Sequence, residues 1–352
     1  MIETFILYNT ILLLSVLFAY YAEYSKTECS RTLARFCLFM ILFVPSALRY
    51  DIGTDYINYV DNFYFASEYK ETEIGFYALT VFLRNLHLPA HSLFVCSAFL
   101  TYFPLMFLER KNYTWKMMMY VLLFYLLSYS AIRNMISLSL VVLAFDLFFR
   151  GKRWGAFILY PLSVLFHTSS FFFLPFFLVN KLRCNRIVLL ALSLILFWMS
   201  YADMLFVLLN NDLFLNSNYG GYVFSEFATK PTYNTGYGVI SRILFAMIVF
   251  LSVSFSKTKD NSTIYLSLFY LISLVLMTKV RIFLRLADTV SISLMFAMPW
   301  CIEVFNGKKM FPLKYLMILF YVVLFEVFIY SNNRNYKEGN VGISPYQTIF
   351  CK

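Results

Sequence analysis

Titratable residues outside the apolar stretches of this chain are the groups best suited to chemistry. Arg49, Asp51 and Asp55 lie close together, and Gly53 and Thr54 predict a turn between the two acids. A guanidinium beside two carboxylates suits the binding of an anion or a sugar. The alternative is a local ion pair at the boundary with lipid headgroups, and the spacing leaves that alternative open.

Three further candidates follow at long intervals along the chain. Glu73 precedes an apolar segment, where a carboxylate also suits the N-terminus of a helix. Arg133 lies in SYSAIRNMISL and His167 in LFHTSSFFFLP, each between two apolar runs. A lone histidine is more often a structural group than a catalyst, so a role for His167 depends on its neighbours. We interpret Arg133 as an anion ligand because it lies in a connection where basic residues are not expected.

Two more arginines, Arg281 and Arg285, occur late in the chain. Their i, i+4 spacing places both guanidinium groups on one face of a predicted helix. Such a pair suits an anion, because each guanidinium donates paired hydrogen bonds and stays protonated. The alternative is an ion pair between Arg285 and Asp288.

The elements that must position these residues are predicted to be membrane-spanning helices. The chain of 352 residues is 61% hydrophobic and 14% charged, whereas soluble domains are about half apolar and a quarter charged. A span needs about 20 apolar residues. The sequence predicts an all-α, polytopic membrane protein with about 12 transmembrane helices in a single domain over residues 1–352. Apolar runs centre on 4–22, 34–48, 89–108, 117–130, 135–149, 154–166, 171–180, 187–208, 239–256, 262–279, 286–305 and 313–330.

Basic clusters recur at every second connection between these runs. Under the positive-inside rule this pattern places those connections in the cytoplasm and both termini outside. Residues 74–86 are too short for a span and contain Arg84, so we interpret them as a re-entrant or interfacial half-helix. Long outer loops over 49–73 and 209–238 and an outer tail over 331–352 follow.

Two acids fall inside predicted spans. Asp146 lies near the cytoplasmic end of its run, and we expect its carboxylate to reach the headgroup region. Glu326 lies within the last run, where an ionisable residue is a functional candidate.

Several classes of function do not fit the sequence. The net charge of +10 arises from short clusters between apolar runs, which argues against a nucleic-acid partner. The six cysteines have no metal-ligand spacing, and we expect no disulfide framework. A phosphate-binding glycine loop, a zinc-protease motif and a nucleophile elbow are absent from the sequence. We therefore expect no cofactor or metal.

The segment RYDIGTDYINYV resembles the EpsG-like family of bacterial polysaccharide polymerases, which are related in role to the Wzy O-antigen polymerases. The resemblance covers about residues 45–300. Where the family has an aromatic residue after its late arginine, this chain has Leu286, so either Arg281 or Arg285 can match. The matching blocks are Arg49 with Gly53-Thr54-Asp55-Tyr56 and Tyr59; Glu73 with Tyr77; Arg133 before a helix rich in small residues; Phe166-His167-Thr168-Ser169-Ser170 with Leu174-Pro175; and Arg285 with Pro299.

The resemblance implies a glycosyltransferase that joins polyprenyl-diphosphate-linked oligosaccharide repeats at the outer face of the bacterial cytoplasmic membrane. The product would be a surface polysaccharide such as O-antigen, capsule or exopolysaccharide. Membrane lipids are further expected partners, and a chain-length regulator protein is a candidate partner. The implied diphosphate ligands are Arg49, Arg133, Arg281 and Arg285, and the implied candidates for the base are Asp55, Glu73 and His167.

Three alternatives compete with this interpretation. A flippase for lipid-linked glycans would have a similar number of spans, but its charges would follow a central cavity. An O-antigen ligase would share the outer-face chemistry and transfer the glycan to a lipid A core. A structural membrane scaffold would leave the outer arginines without a role.

Overall fold

The computed structural model describes residues 2–65, 73–179, 237–256, 261–278, 282–307, 310–332 and 342–350, with isolated positions between 187 and 198. These residues form helices joined by turns, and the described part of the chain contains no β-strand. Extended pairing there is limited to one antiparallel bridge between Arg49 and Thr348. The predicted all-α fold class is confirmed.

The chain divides into two compact units, Met1–Leu174 with Ile318–Lys352, and Pro175–Met317. The first contains α1 (Ile2–Tyr24), α2 (Glu28–Leu48), α3 (Tyr56–Tyr64), α4 (Ile74–Asn85), α5 (His91–Tyr102), α6 (Tyr113–Tyr120), α7 (Ile132–Phe149) and α8 (Arg153–Phe166). The short α9 (Leu174–Leu178) begins at the boundary. The second contains α10 (Tyr237–Phe255), α11 (Asn261–Met277), α12 (Ile282–Val290) and α13 (Ser293–Gly307), and α14 (Phe311–Ser331) continues from it into the first.

The described chain contains several apolar helices of membrane-spanning length. Five of them, α1, α2, α7, α10 and α14, are long and apolar enough to cross a membrane. The pair α12 and α13, bent by 55° at a short break, would make a sixth span. Shorter apolar helices include α8 and α11. The total of about twelve spans stays a prediction.

Two predicted segments take a more specific form in the structure. The segment 74–86 contains α4, a helix of 12 residues, and its path relative to the bilayer stays a prediction. The run 117–130 is not one continuous α-helix. After α6 the chain continues as a π-helical turn over Val121–Tyr125 and a 3-10 turn over Leu127–Tyr129. Such turns re-aim the side chains that follow and are frequent beside functional sites.

The basic clusters of neighbouring connections meet at one end of the first unit. Arg35, in the second turn of α2, donates hydrogen bonds to the carbonyls of Met106 and Leu108 at 2.7 and 2.9 Å. Arg110, before α6, donates to the carbonyl of Glu23 at the end of α1. The connections α1–α2 and α5–α6 therefore share an end, as the alternation of basic clusters predicts.

The sequence predicted that the Asp146 carboxylate would extend to the surface, and the structure shows that it does not. Its side chain is 2% exposed, and it lies 2.5 Å from Nζ of Lys116 and 2.7 Å from Nη2 of Arg150. It also accepts the backbone N–H of Glu109 at 2.8 Å. Two cations and an N–H offset the cost of burying this carboxylate. Asp146 thus ties α6 and α7 together at the same end as the basic clusters.

Arg133 and His167 lie at the opposite end of the first unit. Arg133 is in the first turn of α7 and Arg150 follows its last turn, and an 18-residue helix is about 27 Å long. The following helix, α8, packs against α7 and runs back from Arg153 to Phe166. His167 therefore returns to the end at which Arg133 lies.

Candidate functional site

One buried carboxylate joins two of the predicted site residues. The Glu73 side chain is 5% exposed, and its Oε1 is hydrogen-bonded to Nδ1 of His167. Its Oε2 lies 3.1 Å from Nη1 of Arg133, in an ion pair that is not aligned as a hydrogen bond. His167 and Arg133 are 29% and 33% exposed. We call these three residues the Glu73 cluster.

The hydrogen bond to Glu73 decides how His167 can act. An ionised carboxylate is an acceptor only, so Nδ1 of His167 carries the proton in this contact. In a neutral imidazole the other nitrogen, Nε2, is then a proton acceptor. The partly exposed ring can therefore receive a proton from a bound molecule, while the buried Glu73 holds its orientation.

Glu73 reaches His167 because α4 begins very close to α8. Glu73 is the residue before the first turn of α4, and its side chain makes no capping hydrogen bond to that helix. Next along the chain, a Cβ atom on Gly75 would lie 2.9 Å from the carbonyl oxygen of Leu165. Only a glycine lets α4 approach the last turn of α8 this closely, two residues before His167.

The turn that contains His167 is held from α7. The hydroxyl of Ser137 donates to the carbonyl of Ser163 at 2.6 Å, and the hydroxyl of Ser169 donates to Oδ1 of Asn134 at 3.2 Å. Asn134 and Ser137 lie in the first two turns of α7, beside Arg133. Small polar residues there bind the chain on both sides of His167 and fix its position relative to Arg133.

The loop with the Gly-Thr-Asp block docks onto the turn that leads into α7. Gly53 has a φ of +105°, and a Cβ atom there would lie 2.1 Å from the carbonyl oxygen of Tyr129. The backbone N–H of Thr54 donates to the hydroxyl of Ser130 at 3.0 Å. These contacts set the start of α3, at Asp55, against the segment that carries Arg133.

Two aromatic rings pack against the guanidinium of Arg133. Its Cζ atom lies 5.8 Å from the ring centroids of both Tyr59 and Phe76, within cation–π range. Burial raises the pKa of Tyr59 to about 12, although the neighbouring Arg133 lowers it. The Tyr59 phenol is therefore protonated at neutral pH and can donate a hydrogen bond.

An open cleft of about 740 Å³ lies beside Tyr59 and Arg133. Polar side chains of α3 form one wall, and Arg133 belongs to the lining as well. The cleft is within the size range of small-molecule sites. Its lining residues within the described part of the chain are Asp55, Asn58, Tyr59, Asp61, Asn62, Phe65 and Arg133.

Comparison with known families identifies the group to which this chain belongs. The sequence model of the EpsG family matches residues 32–348, nearly the whole chain. The chain belongs to the EpsG family. Membership indicates a polysaccharide polymerase in the membrane. Comparisons with curated proteins and with solved structures found no match to this chain. All members of the Glu73 cluster and of the cleft lining lie within the residues matched to EpsG.

Arg49, although part of the EpsG match, is enclosed away from the cleft. It is 2% exposed, and its Nη1 donates to the carbonyl of Ser46 at 3.0 Å. Its Cζ atom lies 5.2 and 5.0 Å from the ring centroids of Phe94 and Tyr129. Burial lowers the pKa of Arg49. The guanidinium is held among aromatic rings, and its role as a diphosphate ligand stays a prediction.

The C-terminal segment covers this arginine. The N–H of Tyr50 donates to the carbonyl of Gln347 at 2.9 Å, and the N–H of Ile349 donates to that of Leu48 at 3.0 Å. The hydroxyl of Tyr8 donates to the carbonyl of Ile343 at 2.8 Å. The tail of the EpsG match therefore fastens the end of α2 to α1, a structural role that the sequence did not indicate.

The remaining predicted residues fall in three places. Asp55 lines the cleft beside the Glu73 cluster. Arg285 is an exposed residue of α12, in the second unit. Arg281 lies outside the described residues, as does most of the predicted loop 209–238. The diphosphate role of both late arginines stays a prediction.

The polar wall of α3 was not anticipated from the sequence. Asn58, Asp61 and Asn62 follow the Gly53-Thr54-Asp55-Tyr56 block, within the predicted outer loop 49–73. The signal was present, because Asp55, Asn58, Tyr59 and Asn62 repeat at helical i, i+3, i+4 and i+7 spacing.

Within the ranges that the structure describes, no group of three or more His, Cys, Asp or Glu side chains is placed to hold a metal ion.

Proposed function

We propose that this protein polymerises polyprenyl-diphosphate-linked oligosaccharide repeats into a surface polysaccharide at the outer face of the cytoplasmic membrane. The observation that carries the proposal is the Glu73 cluster, since one carboxylate holds a guanidinium and an imidazole side by side. Transfer of a glycan from a diphosphate to a hydroxyl needs a cation for the departing phosphate and a base for the hydroxyl proton.

In the proposed reaction, an acceptor hydroxyl attacks the anomeric carbon of the donor. The bond between that carbon and the diphosphate oxygen breaks, and the diphosphate leaves with the bonding electron pair. Nε2 of His167 takes the hydroxyl proton. General-base help of this kind contributes about 10²–10⁴-fold to the rate. Glu73 acts as the positioning residue that keeps His167 in the required tautomer.

Arg133 is the proposed ligand of the diphosphate. A guanidinium presents its N–H donors in a planar fork and stays protonated, which suits paired hydrogen bonds to phosphate oxygens. Charge on the leaving oxygens grows as the bond breaks, and one well-placed donor contributes about 10²–10³-fold through that charge. The ring of Tyr59 and the ring of Phe76 hold the guanidinium in place.

The separation of charge along the first unit supports the outer location. Basic clusters meet at the end marked by Asp146, and the Glu73 cluster lies at the other end of α7. Basic connections favour the cytoplasmic side. The Glu73 cluster then faces outward, where lipid-linked repeats would arrive already activated and no nucleotide is needed. This separation favours a polymerase over a flippase, whose charges would follow a central cavity.

The proposal is tested in a strain that lacks the gene, complemented with variants. We expect Arg133→Lys, which keeps the charge but loses the planar donor pair, to shorten the polysaccharide ladder and to accumulate single repeats on lipid at the outer leaflet. The matched control Arg153→Lys, an exposed arginine at the other end, should give the wild-type ladder.

Other outcomes assign other functions. Single repeats trapped on the inner leaflet would identify a flippase. Full-length polymer that remains on its lipid carrier, unattached to lipid A core, would identify a ligase. A wild-type ladder from Arg133→Lys and from Arg133→Ala would overturn the role of the Glu73 cluster.

A further inference from the structure

The polar wall of the cleft has the composition of a carbohydrate site. On α3, the amides of Asn58 and Asn62 and the carboxylate of Asp61 line the cleft together with the ring of Phe65. Amides and carboxylates form paired hydrogen bonds with neighbouring hydroxyls, and an aromatic ring packs on the apolar face of a sugar.

The helix places these groups on one side by simple periodicity. Asp55, Asn58 and Asn62 follow one another at intervals of three and four residues and so lie in one row. Asn58 and Asp61 are exposed. The opposite side of α3 is buried through Tyr56 and Phe63, which anchor the helix and leave the polar row facing the cleft.

The charges of the lining select among sugars. Among the described lining residues, Asp55 and Asp61 bring two carboxylates to the α3 side, and the cation Arg133 is committed to Glu73 and, in the proposed reaction, to the diphosphate. A uronic acid ring would bring a third carboxylate into this surrounding, and like charges repel at short range. An uncharged ring meets only donors and acceptors. The lining therefore disfavours acidic sugars.

We infer that the α3 wall, formed by Asp55, Asn58, Asp61 and Asn62, binds an uncharged pyranose ring of the glycan and excludes acidic sugars from that position. The inference rests on the proposed function, because Arg133 belongs both to this cleft and to the proposed diphosphate site. The ring bound here is the sugar adjacent to the diphosphate. The α3 wall thus determines which repeat unit is accepted, separately from the groups that move the proton.

Saturation-transfer NMR on the full-length protein in detergent tests the inference directly. The probes are methyl β-glucopyranoside, methyl N-acetyl-β-glucosaminide and methyl β-glucuronide at pH 7, with inorganic diphosphate present to occupy Arg133. We expect saturation of both neutral probes and at least threefold weaker saturation of the glucuronide. The double variant Asn58→Ala with Asp61→Ala should lower the neutral signals at least threefold. Both positions are exposed, so folding is preserved.

A matched control removes one amide and one carboxylate elsewhere. Asn85→Ala with Glu28→Ala changes exposed residues outside the cleft lining and should leave every signal unchanged. The inference is overturned if the α3 double variant binds the neutral probes as the wild type does, if the glucuronide saturates equally, or if no probe is saturated.

Ladder analysis of the same variants separates this inference from the proposed function. If the wild type restores a ladder and the NMR result is negative, the α3 inference alone fails. If the neutral probes bind as expected but the wild type restores no ladder, the sugar site stands and the polymerase proposal fails.

Discussion

Glu73 and His167 lie 94 positions apart in the sequence, and one oxygen of the Glu73 carboxylate accepts a hydrogen bond from Nδ1 of His167. The other oxygen of the same carboxylate faces Arg133. This buried acid lies between a partly exposed imidazole and a partly exposed guanidinium. In the proposed reaction it would couple proton acceptance to anion binding. The predictions that follow test this coupling and the packing that produces it.

Glu73→Gln should abolish long chains while the protein still folds. An amide can present an N–H to the ring, which stabilises the wrong tautomer of His167, and it no longer balances the charge of Arg133. We expect turnover to fall on the order of 10²–10⁴-fold, measured with purified protein and lipid-linked repeats. The control is Glu28→Gln, an acid that is 83% exposed. Activity of Glu73→Gln within a factor of three of wild type would contradict the orienting role.

His167→Asn removes the proposed base and leaves a residue of similar polarity. We expect kcat to fall about 10²–10⁴-fold with the affinity for the lipid-linked donor nearly unchanged, because Arg133 and the cleft are intact. His87→Asn serves as the control, since His87 is exposed and its φ of 55° is tolerated by asparagine. A parallel loss of donor affinity would instead indicate that His167 binds substrate.

Gly53→Ala should destabilise the protein more than Gly151→Ala. Both glycines have positive φ, at 105° and 77°, but a Cβ atom on Gly151 meets nothing within 4 Å. The control therefore carries only the backbone cost of about 1–2 kcal/mol. A Cβ on Gly53 would lie 2.1 Å from the carbonyl oxygen of Tyr129, so the docked loop must move. Thermal unfolding in detergent measures the difference, and equal shifts would refute this account.

Asp146→Asn should lower stability without a specific effect on the reaction. The substitution leaves Lys116, 8% exposed, and Arg150 without their carboxylate. Removing one partner of a buried ion pair costs about 3–5 kcal/mol. Replacing the pair together, as Lys116→Met with Asp146→Leu, should recover much of the lost stability because both desolvated charges disappear. A double variant as unstable as Asp146→Asn would mean that the charges themselves are required.

The sequence by itself determined the kind of protein and the residues worth testing. Apolar runs of span length predicted membrane helices, because lipid excludes unpaired backbone groups and admits helices. Alternating basic clusters predicted that Arg35, Arg110 and Lys116 belong to one end of the molecule, and the described contacts of the first unit agree. The blocks around Gly53, Arg133 and His167 indicated the family, which the match over residues 32–348 shows.

Only the tertiary structure decided which of those residues meet. Hydropathy and periodicity report on positions within a few residues, whereas the Glu73 cluster depends on the approach of α4 to α8 at Gly75 and of the 49–55 loop to Tyr129. The same packing encloses Arg49 among aromatic rings and buries Asp146 between two cations. These outcomes depend on which helix faces touch, and that information is spread over segments up to 94 residues apart in the chain.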